Sequence, residues 1–199
     1  MQRIVVPGEK LEDKPLRIDE AFVEDGKTYS TIMSVYDNER KILTPLEGMW
    51  YPRMGDQVVG VVSEDKLSVY FIDLNSPYKG LIFAKDCNDD LVAGDIIDAT
   101  VKELDKTKTA ILTRPRKLFG GKILYVNPAK IPRILGKGNT MIRQLSQLTQ
   151  SSITVGLNGL VWIKGGKMDL ATEAIVTIQQ EAHTMGLTNR IKTLLESGK

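Results

Sequence analysis

At Gly120-Gly121 the apolar pattern of this 199-residue chain changes period, and that break constrains the fold more than any other feature. Before it, apolar residues come in short runs bounded by Gly, Pro, Asp and Asn. After it they recur every three or four residues. Short bounded runs are the mark of antiparallel strands, and the longer interval is the mark of amphipathic helices. The chain therefore reads as multidomain, mainly β, with an α/β part at its C-terminal end.

Residues 1–50 hold three β-like runs, at 4–6, 29–36 and 41–45, punctuated by Gly8, Gly26-Lys27 and Asp37-Asn38. This predicts a small antiparallel unit with a hairpin at Asp37-Asn38-Glu39. Trp50 and Tyr51, just before Pro52, are expected to close the core of that unit or to seal it to the next. From Met54 the runs sharpen. Gly55-Asp56 leads into Val58-Val59-Gly60-Val61-Val62, residues 67–74 alternate, and Tyr78-Lys79-Gly80-Leu81-Ile82-Phe83 follows. Gly94-Asp95 then leads into 96–101, and 109–113 completes the set. Five short strands with glycine at the bends predict a small barrel, since a sandwich core needs about seven.

Beyond Gly121, residues 122–126 read as a strand and Pro128 suits a first helical turn. Ile131, Ile134 and Leu135 share a face, a glycine turn interrupts, and Met141, Ile142, Leu145 and Leu148 recur at helical spacing. Residues 152–157 and 160–163 flank Asn158-Gly159, the strongest hairpin signal in the chain. Ala171, Ala174, Ile175, Ile178 and Ala182 predict a helix stopped by Gly186, and 190–196 a short last one. The order is β-α-α-β-β-α over about 80 residues, a unit small enough to gain from docking on its neighbours. The expected domains are 1–52, 53–116 and 117–199.

Charge follows the same division. No Asp or Glu occurs in residues 106–168, which hold 12 Lys or Arg, whereas residues 1–105 hold 12 basic and 21 acidic side chains. Such segregation destabilises a compact fold by self-repulsion unless a polyanion or an acidic neighbour offsets it. Inside the basic block, Leu135-Gly136-Lys137-Gly138-Asn139 and the Gly-Leu-Asn-Gly hairpin point toward a nucleic-acid backbone.

Little in the chain suggests an enzyme. His183 is the sole histidine and reads as a surface or interface residue. Cys87, the sole cysteine, lies among Asp86, Asn88, Asp89 and Asp90, a setting that does not lower a thiol pKa. It excludes a disulfide scaffold or a cysteine zinc site within the chain. Asp86, Asp89, Asp90, Asp95 and Asp98 lack the spacing of a calcium loop, and Gly136-Lys137-Gly138-Asn139 lacks the ending of a nucleotide-hydrolase phosphate loop. No cofactor or metal is expected. No apolar run approaches the ~20 residues of a membrane span, and no secretory pattern opens the sequence. A cytoplasmic protein is expected.

The turn at 135–139 has a clear physical use. Glycine permits close backbone approach, and the helix start that follows offers unpaired N–H groups to a phosphate. Lys130, Arg133, Lys137 and Arg143 add charge. Residues 121–185 resemble a KH domain, whose helix-Gly-x-x-Gly-helix loop clamps single-stranded nucleic acid. Here Gly136, Lys137, Gly138 and Asn139 form that loop, with Asn139 replacing the second glycine. Asparagine tolerates a left-handed backbone, but its side chain crowds an approaching phosphate.

Residues 54–113 resemble an S1 domain, an RNA-binding barrel of the OB type. The matching pieces are Gly60-Val61-Val62, Tyr70-Phe71-Ile72-Asp73-Leu74, Gly80-Leu81-Ile82-Phe83 and the run from Gly94 to Val101. Ser68-Val69 replace the usual Phe-Gly, and Phe83 stands where the family commonly has histidine. The resemblance places base stacking on Phe71 and Phe83, with Tyr70 a weaker candidate because alternation turns it to the opposite face. Lys79, Arg114 and Arg116 complete the barrel's RNA-binding candidates.

A small β domain, then S1, then KH resembles the KH-bearing RNA-binding cap subunits of the archaeal exosome. Gly156-Leu157-Asn158-Gly159-Leu160-Val161-Trp162-Ile163 carries that family's Gly-x-Asn-Gly-x-x-Trp signature. In it Asn158-Gly159 is expected to make the tight turn by backbone preference, and Trp162 to pack the KH sheet. The resemblance implies a non-catalytic subunit, three per complex, seated on a hexamer of phosphorolytic RNase PH-like subunits of Rrp41 and Rrp42 type. It also admits mixed caps with Csl4-type subunits, whose zinc ribbon the single cysteine here excludes. Single-stranded RNA 3′ ends would be captured and fed into the pore for 3′-to-5′ decay. The basic block faces either RNA or acidic ring subunits. The rival readings are a free-standing S1–KH factor of transcription or translation, and a nuclease in its own right.

Overall fold

The computed structural model describes residues 2–18, 20–46, 48–105, 109–181 and 190–191. Two compact units result, Met1–Gly48 and Met49–Lys199.

The first unit holds six short strands in two three-stranded antiparallel sheets. Strands β1 (Gln2–Val5), β5 (Ser34–Asp37) and β6 (Ile42–Pro45) form one sheet, in the order β1-β5-β6. Strands β2 (Lys10–Glu12), β3 (Ala21–Glu24) and β4 (Lys27–Ser30) form the other, in the order β2-β4-β3. The predicted hairpin joins β5 to β6, and the Asp37 carboxylate accepts hydrogen bonds from the Glu39 and Arg40 N–H groups there. The run at 29–36 is two strands rather than one. Ser30 and Ser34 both donate their hydroxyls to the Ile32 carbonyl, at 2.6 and 3.2 Å, and turn the chain between them. Val5, Leu11, Tyr36 and Leu43 are the core. Burial, then the hydrogen bond it donates to Glu12, pushes the Tyr36 phenol up to about 12.

In the second unit, β7 (Gln57–Lys66), β8 (Val69–Asp73), β9 (Lys79–Phe83), β10 (Ile96–Leu104) and β11 (Thr109–Leu118) close into a five-stranded barrel. The order around it is β7-β8-β9-β11-β10, antiparallel except where β9 meets β11. This is the S1-type OB barrel. Alternation puts Val58, Val62, Tyr70, Ile72, Ile82, Ile97, Ala99, Val101 and Leu112 inside. Trp50 joins this barrel core, its indole N–H donating to Asp56 at 3.0 Å, while Tyr51 is exposed and meets Tyr78 edge to face.

The remainder is a KH-type β-α-α-β-β-α module. Its elements are β12 (Lys122–Tyr125), α1 (Ile131–Leu135), α2 (Thr140–Thr149), β13 (Ser152–Val155), β14 (Leu160–Lys164) and α3 (Met168–Gln180). The sheet order is β12-β14-β13, all antiparallel. Ile131, Ile134, Met141, Leu145, Ala171, Ala174, Ile175 and Ile178 pack the helices onto Val161 and Ile163 of the sheet. Ala182, His183 and Gly186 lie outside the described residues, as does the last helix expected at 190–196 except for the helical Arg190 and Ile191.

Candidate nucleic-acid interface

Strand alternation gives the barrel an outer face of its own. Phe71 pairs with Leu81, and Val69 pairs with Phe83, so both phenyl rings stand on adjacent strands of one surface, each half-buried. The Lys66 ammonium lies 4.9 Å from the centre of the Phe71 ring, and Lys85 lies 5.5 Å from that of Phe83. Lys79 is exposed at the other end of β9. Half-exposed rings with mobile lysine ammonium groups over them suit single-stranded nucleic acid, because a base can take the lysine's place on the ring while the charge pairs with a phosphate. Tyr70 points inward and is 8% exposed within the barrel core, which removes it from the stacking candidates.

The opposite edge of this face is shaped by a β-bulge. Asp98 pairs with Arg116 and Thr100 with Thr113, so Arg114 and Pro115 together oppose one residue of β10. Arg114 is held at φ 54°, left-handed and uncommon for a residue with a side chain. Bulges of this kind re-aim side chains. Beside it an open cleft of about 610 Å³ is lined by Lys102, Thr113, Arg114 and Arg116 and by Asp86, Asn88 and Asp89. Arg116 is committed in part, since its guanidinium meets Asp98 at 2.7 Å while Gln57 donates to the same carboxylate. The sequence offers Asp86 and Asp89 only within an acidic set that lacks calcium-loop spacing, and it does not mark the bulge. Two residues of β11 opposing one of β10 leave no mark on local periodicity.

In the KH module, Gly136 adopts φ 71° and ψ 174°. A Cβ there would lie 2.8 Å from the Met141 Cβ and 2.9 Å from its backbone nitrogen, so glycine is what lets α1 close onto α2. Gly138 and Asn139 follow, both left-handed at φ 61°. The turn forms with asparagine in the second glycine position, and Thr140 Oγ1 donates to the Lys137 carbonyl at 2.9 Å. Residues 137–140, Arg133 and Arg143 are exposed, and Lys130 is half-buried. No side chain caps α2, and its first turn holds no acid, which leaves the helix dipole open to an anion. The loop offers charge and N–H groups but no aromatic ring.

The hairpin signature does something else. Gly156 to Gly159 close a turn, with the Gly159 N–H bonded to the Gly156 carbonyl at 3.1 Å. Gly159 takes the positive φ of 86°, and Asn158 does not. Asn158 is instead fully buried, and its side chain is the bolt between the KH module and the barrel. Its Nδ2 donates to the carbonyls of Val59 at 2.7 Å and Leu74 at 2.8 Å, while its Oδ1 accepts from the Val59 N–H at 3.3 Å. The amide thus stands in for the backbone of a further strand. A Cβ at Gly156 would fall 2.2 Å from Asn158 Oδ1 and 2.5 Å from the Val59 nitrogen, so that position requires glycine on contact grounds. Trp162 packs with Leu160 of its own sheet and with Val59 and Leu118 of the barrel, and its N–H donates to the Gly120 carbonyl at 2.7 Å. The expectation for Asn158 is corrected accordingly, since it works by its side chain while Gly159 makes the turn; Trp162 packs the KH sheet as expected and also the barrel beside it, and the hairpin faces the protein.

Other charged groups of the barrel pair with each other. Lys117 meets Asp95 at 2.6 Å. Burial raises the Asp95 carboxyl, but hydrogen bonds from Lys117 and the Val92 N–H outweigh it and hold the group below its ordinary value. Burial, then the charges of Asp86, Asp89 and Asp90, push the Cys87 thiol up, opposite to what a thiolate nucleophile needs. Among the described residues no group of three or more His, Cys, Asp or Glu could hold a metal ion. No described helix is long and apolar enough to cross a membrane.

Comparison with known proteins agrees with this architecture. Residues 121–168 match the KH domain family. The chain is 36% identical to exosome complex component Rrp4 of Pyrococcus furiosus, over 98% of this chain and 83% of that protein. Against the proteins of the same name from Methanothermus fervidus and Picrophilus torridus it is 33% and 34% identical, covering 94% of each and 96% and 100% of itself. Among solved structures it is similar to a crystal structure described as a candidate exosome complex RNA-binding protein. That match has a TM-score of 0.68 and 32% identity over 75% of this chain and 97% of the other.

Proposed function

The chain belongs to the archaeal exosome Rrp4 family, and from that membership we propose that it is a non-catalytic cap that captures single-stranded RNA and feeds 3′ ends to a phosphorolytic RNase PH-like hexamer. The observation that carries the RNA-binding part is the paired Phe71 and Phe83 surface with Lys66 and Lys85 at its rings. Stacking on such rings is sequence-tolerant and is worth about 1–3 kcal/mol per base, which suits a subunit that must hold a strand and let it slide. The exposed KH turn and the acid-free basic block add phosphate attraction, which falls steeply with salt. Three copies per ring, contacts with Rrp41- and Rrp42-type subunits, mixed caps with Csl4-type subunits, and a cytoplasmic location complete the reading.

The test is to measure phosphate-dependent RNA decay by the ring alone, by the chain alone and by their mixture. The reading expects no decay by the chain alone and a more processive reaction in the mixture. Robust degradation by the purified chain, or no effect on the ring, contradicts it.

A further inference from the structure

The cleft beside Arg114 carries two kinds of chemistry at once. Its lining includes Lys102 and Arg114, neither of which forms an ion pair among the described residues, together with Asp86, Asn88 and Asp89. A site for phosphate alone would not share its lining with two carboxylates, because each repels the anion the site is meant to hold. Carboxylates and the asparagine oxygen accept hydrogen bonds, so they suit a ligand that brings donors beside its phosphate, as a ribose hydroxyl does. The remaining feature is position. Ile111 pairs with Leu81, and Thr113 and Phe83 each stand two residues further along their strands. The cleft therefore continues the Phe71–Phe83 face across β11. A strand whose bases stack on those rings would bring its next nucleotide there.

We propose that this cleft is a ribose-reading subsite: the phosphodiester lies against Arg114 and Lys102, and the 2′-hydroxyl donates its one proton to a carboxylate oxygen of the Asp86–Asp89 pair. Deoxyribose has no hydroxyl at that carbon, so the subsite makes the barrel prefer RNA to DNA of the same sequence. The left-handed Arg114 fits this role, since the bulge turns the guanidinium wall toward the cleft at the cost of a strained backbone. The inference rests on the proposed RNA-binding face and deepens it.

The experiment uses the intact chain and fluorescence anisotropy with three oligoadenylates of equal length: ribo, deoxyribo and 2′-O-methyl. The ribo form is expected to bind about tenfold more tightly than the other two, as for a hydrogen bond to a charged acceptor. In the double variant Asp86→Ala with Asp89→Ala that ratio should collapse toward one, while deoxy binding holds or strengthens because negative charge has left the cleft. Asp86→Asn with Asp89→Asn, which keeps side-chain size, should lower the ratio less. Arg114→Glu should weaken all three oligomers. Tight binding of the 2′-O-methyl form, or a ratio untouched by both aspartate variants, overturns the inference. So does a loss of ring assembly with oligomer binding unchanged, which would assign the cleft to a protein partner. Phe71→Ala with Phe83→Ala separates the two readings. If it leaves ribo-oligomer affinity unchanged, the stacking face itself fails; if it weakens binding while the aspartate variants leave the ratio intact, only the ribose subsite fails.

Discussion

Two tetrapeptides, each with two glycines and one asparagine, have opposite fates in this chain. Gly136-Lys137-Gly138-Asn139 is an exposed left-handed turn between helices, and its asparagine points its chemistry at solvent. Gly156-Leu157-Asn158-Gly159 is a hairpin tip driven into the side of the barrel, and its asparagine is fully buried. The difference lies in what each loop meets. The first opens a helix in a segment free of acidic residues, and no side chain caps that helix. The second meets the start of β7, whose Val59 presents both an N–H and a carbonyl that the Asn158 amide satisfies together. Glycine serves both, but only at the tip is it demanded by another domain's backbone.

That contrast can be broken by substitution, and the largest effect belongs to Asn158. Asn158→Ala removes three hydrogen bonds and leaves buried groups of Val59 and Leu74 unpaired, which should cost about 3 kcal/mol of stability in denaturant unfolding. A loss under about 0.5 kcal/mol would show that the seam does not depend on this amide. Gly156→Ala drives a methyl group into the Asn158 amide oxygen and the Val59 backbone nitrogen, and about 1–3 kcal/mol should be lost by the same measurement. Neither change should alter RNA affinity in protein that remains folded.

The next effects concern RNA rather than stability. Phe71→Ala and Phe83→Ala should each weaken RNA binding by about 1–3 kcal/mol in titrations, with little change in melting temperature. Lys137→Glu with Arg143→Glu should weaken RNA capture and flatten its salt dependence; unchanged RNA binding with impaired ring assembly would assign those charges to protein contacts. The smallest effect is expected for Asn139→Gly. Its backbone is already left-handed, so stability should move by less than about 1 kcal/mol, while removal of the side chain should allow closer phosphate approach and modestly tighter binding.

The same contrast explains what could be read from the sequence. Five barrel strands and the β-α-α-β-β-α order were legible because alternation, helical spacing and turn residues are local signals. In the N-terminal unit, β2 and β3 were not, since Lys10–Glu12 is three residues with Leu11 alone buried and Ala21–Glu24 is short and largely exposed. Trp50 was read as closing the first unit or sealing it to the next, but packs in the barrel core, because a single aromatic beside a boundary carries no direction. Asn158 was read for its backbone because its partner, Val59, lies 99 residues away. Tyr70, by contrast, is interior as simple alternation implied.

The most direct measurement of the central claim is photocrosslinking of 4-thiouridine RNA to the intact chain, with adducts mapped by mass spectrometry. The account predicts adducts on β8 and β9 at or beside Phe71 and Phe83. Adducts confined to the N-terminal unit or to α3, with the barrel face unlabelled, would contradict it.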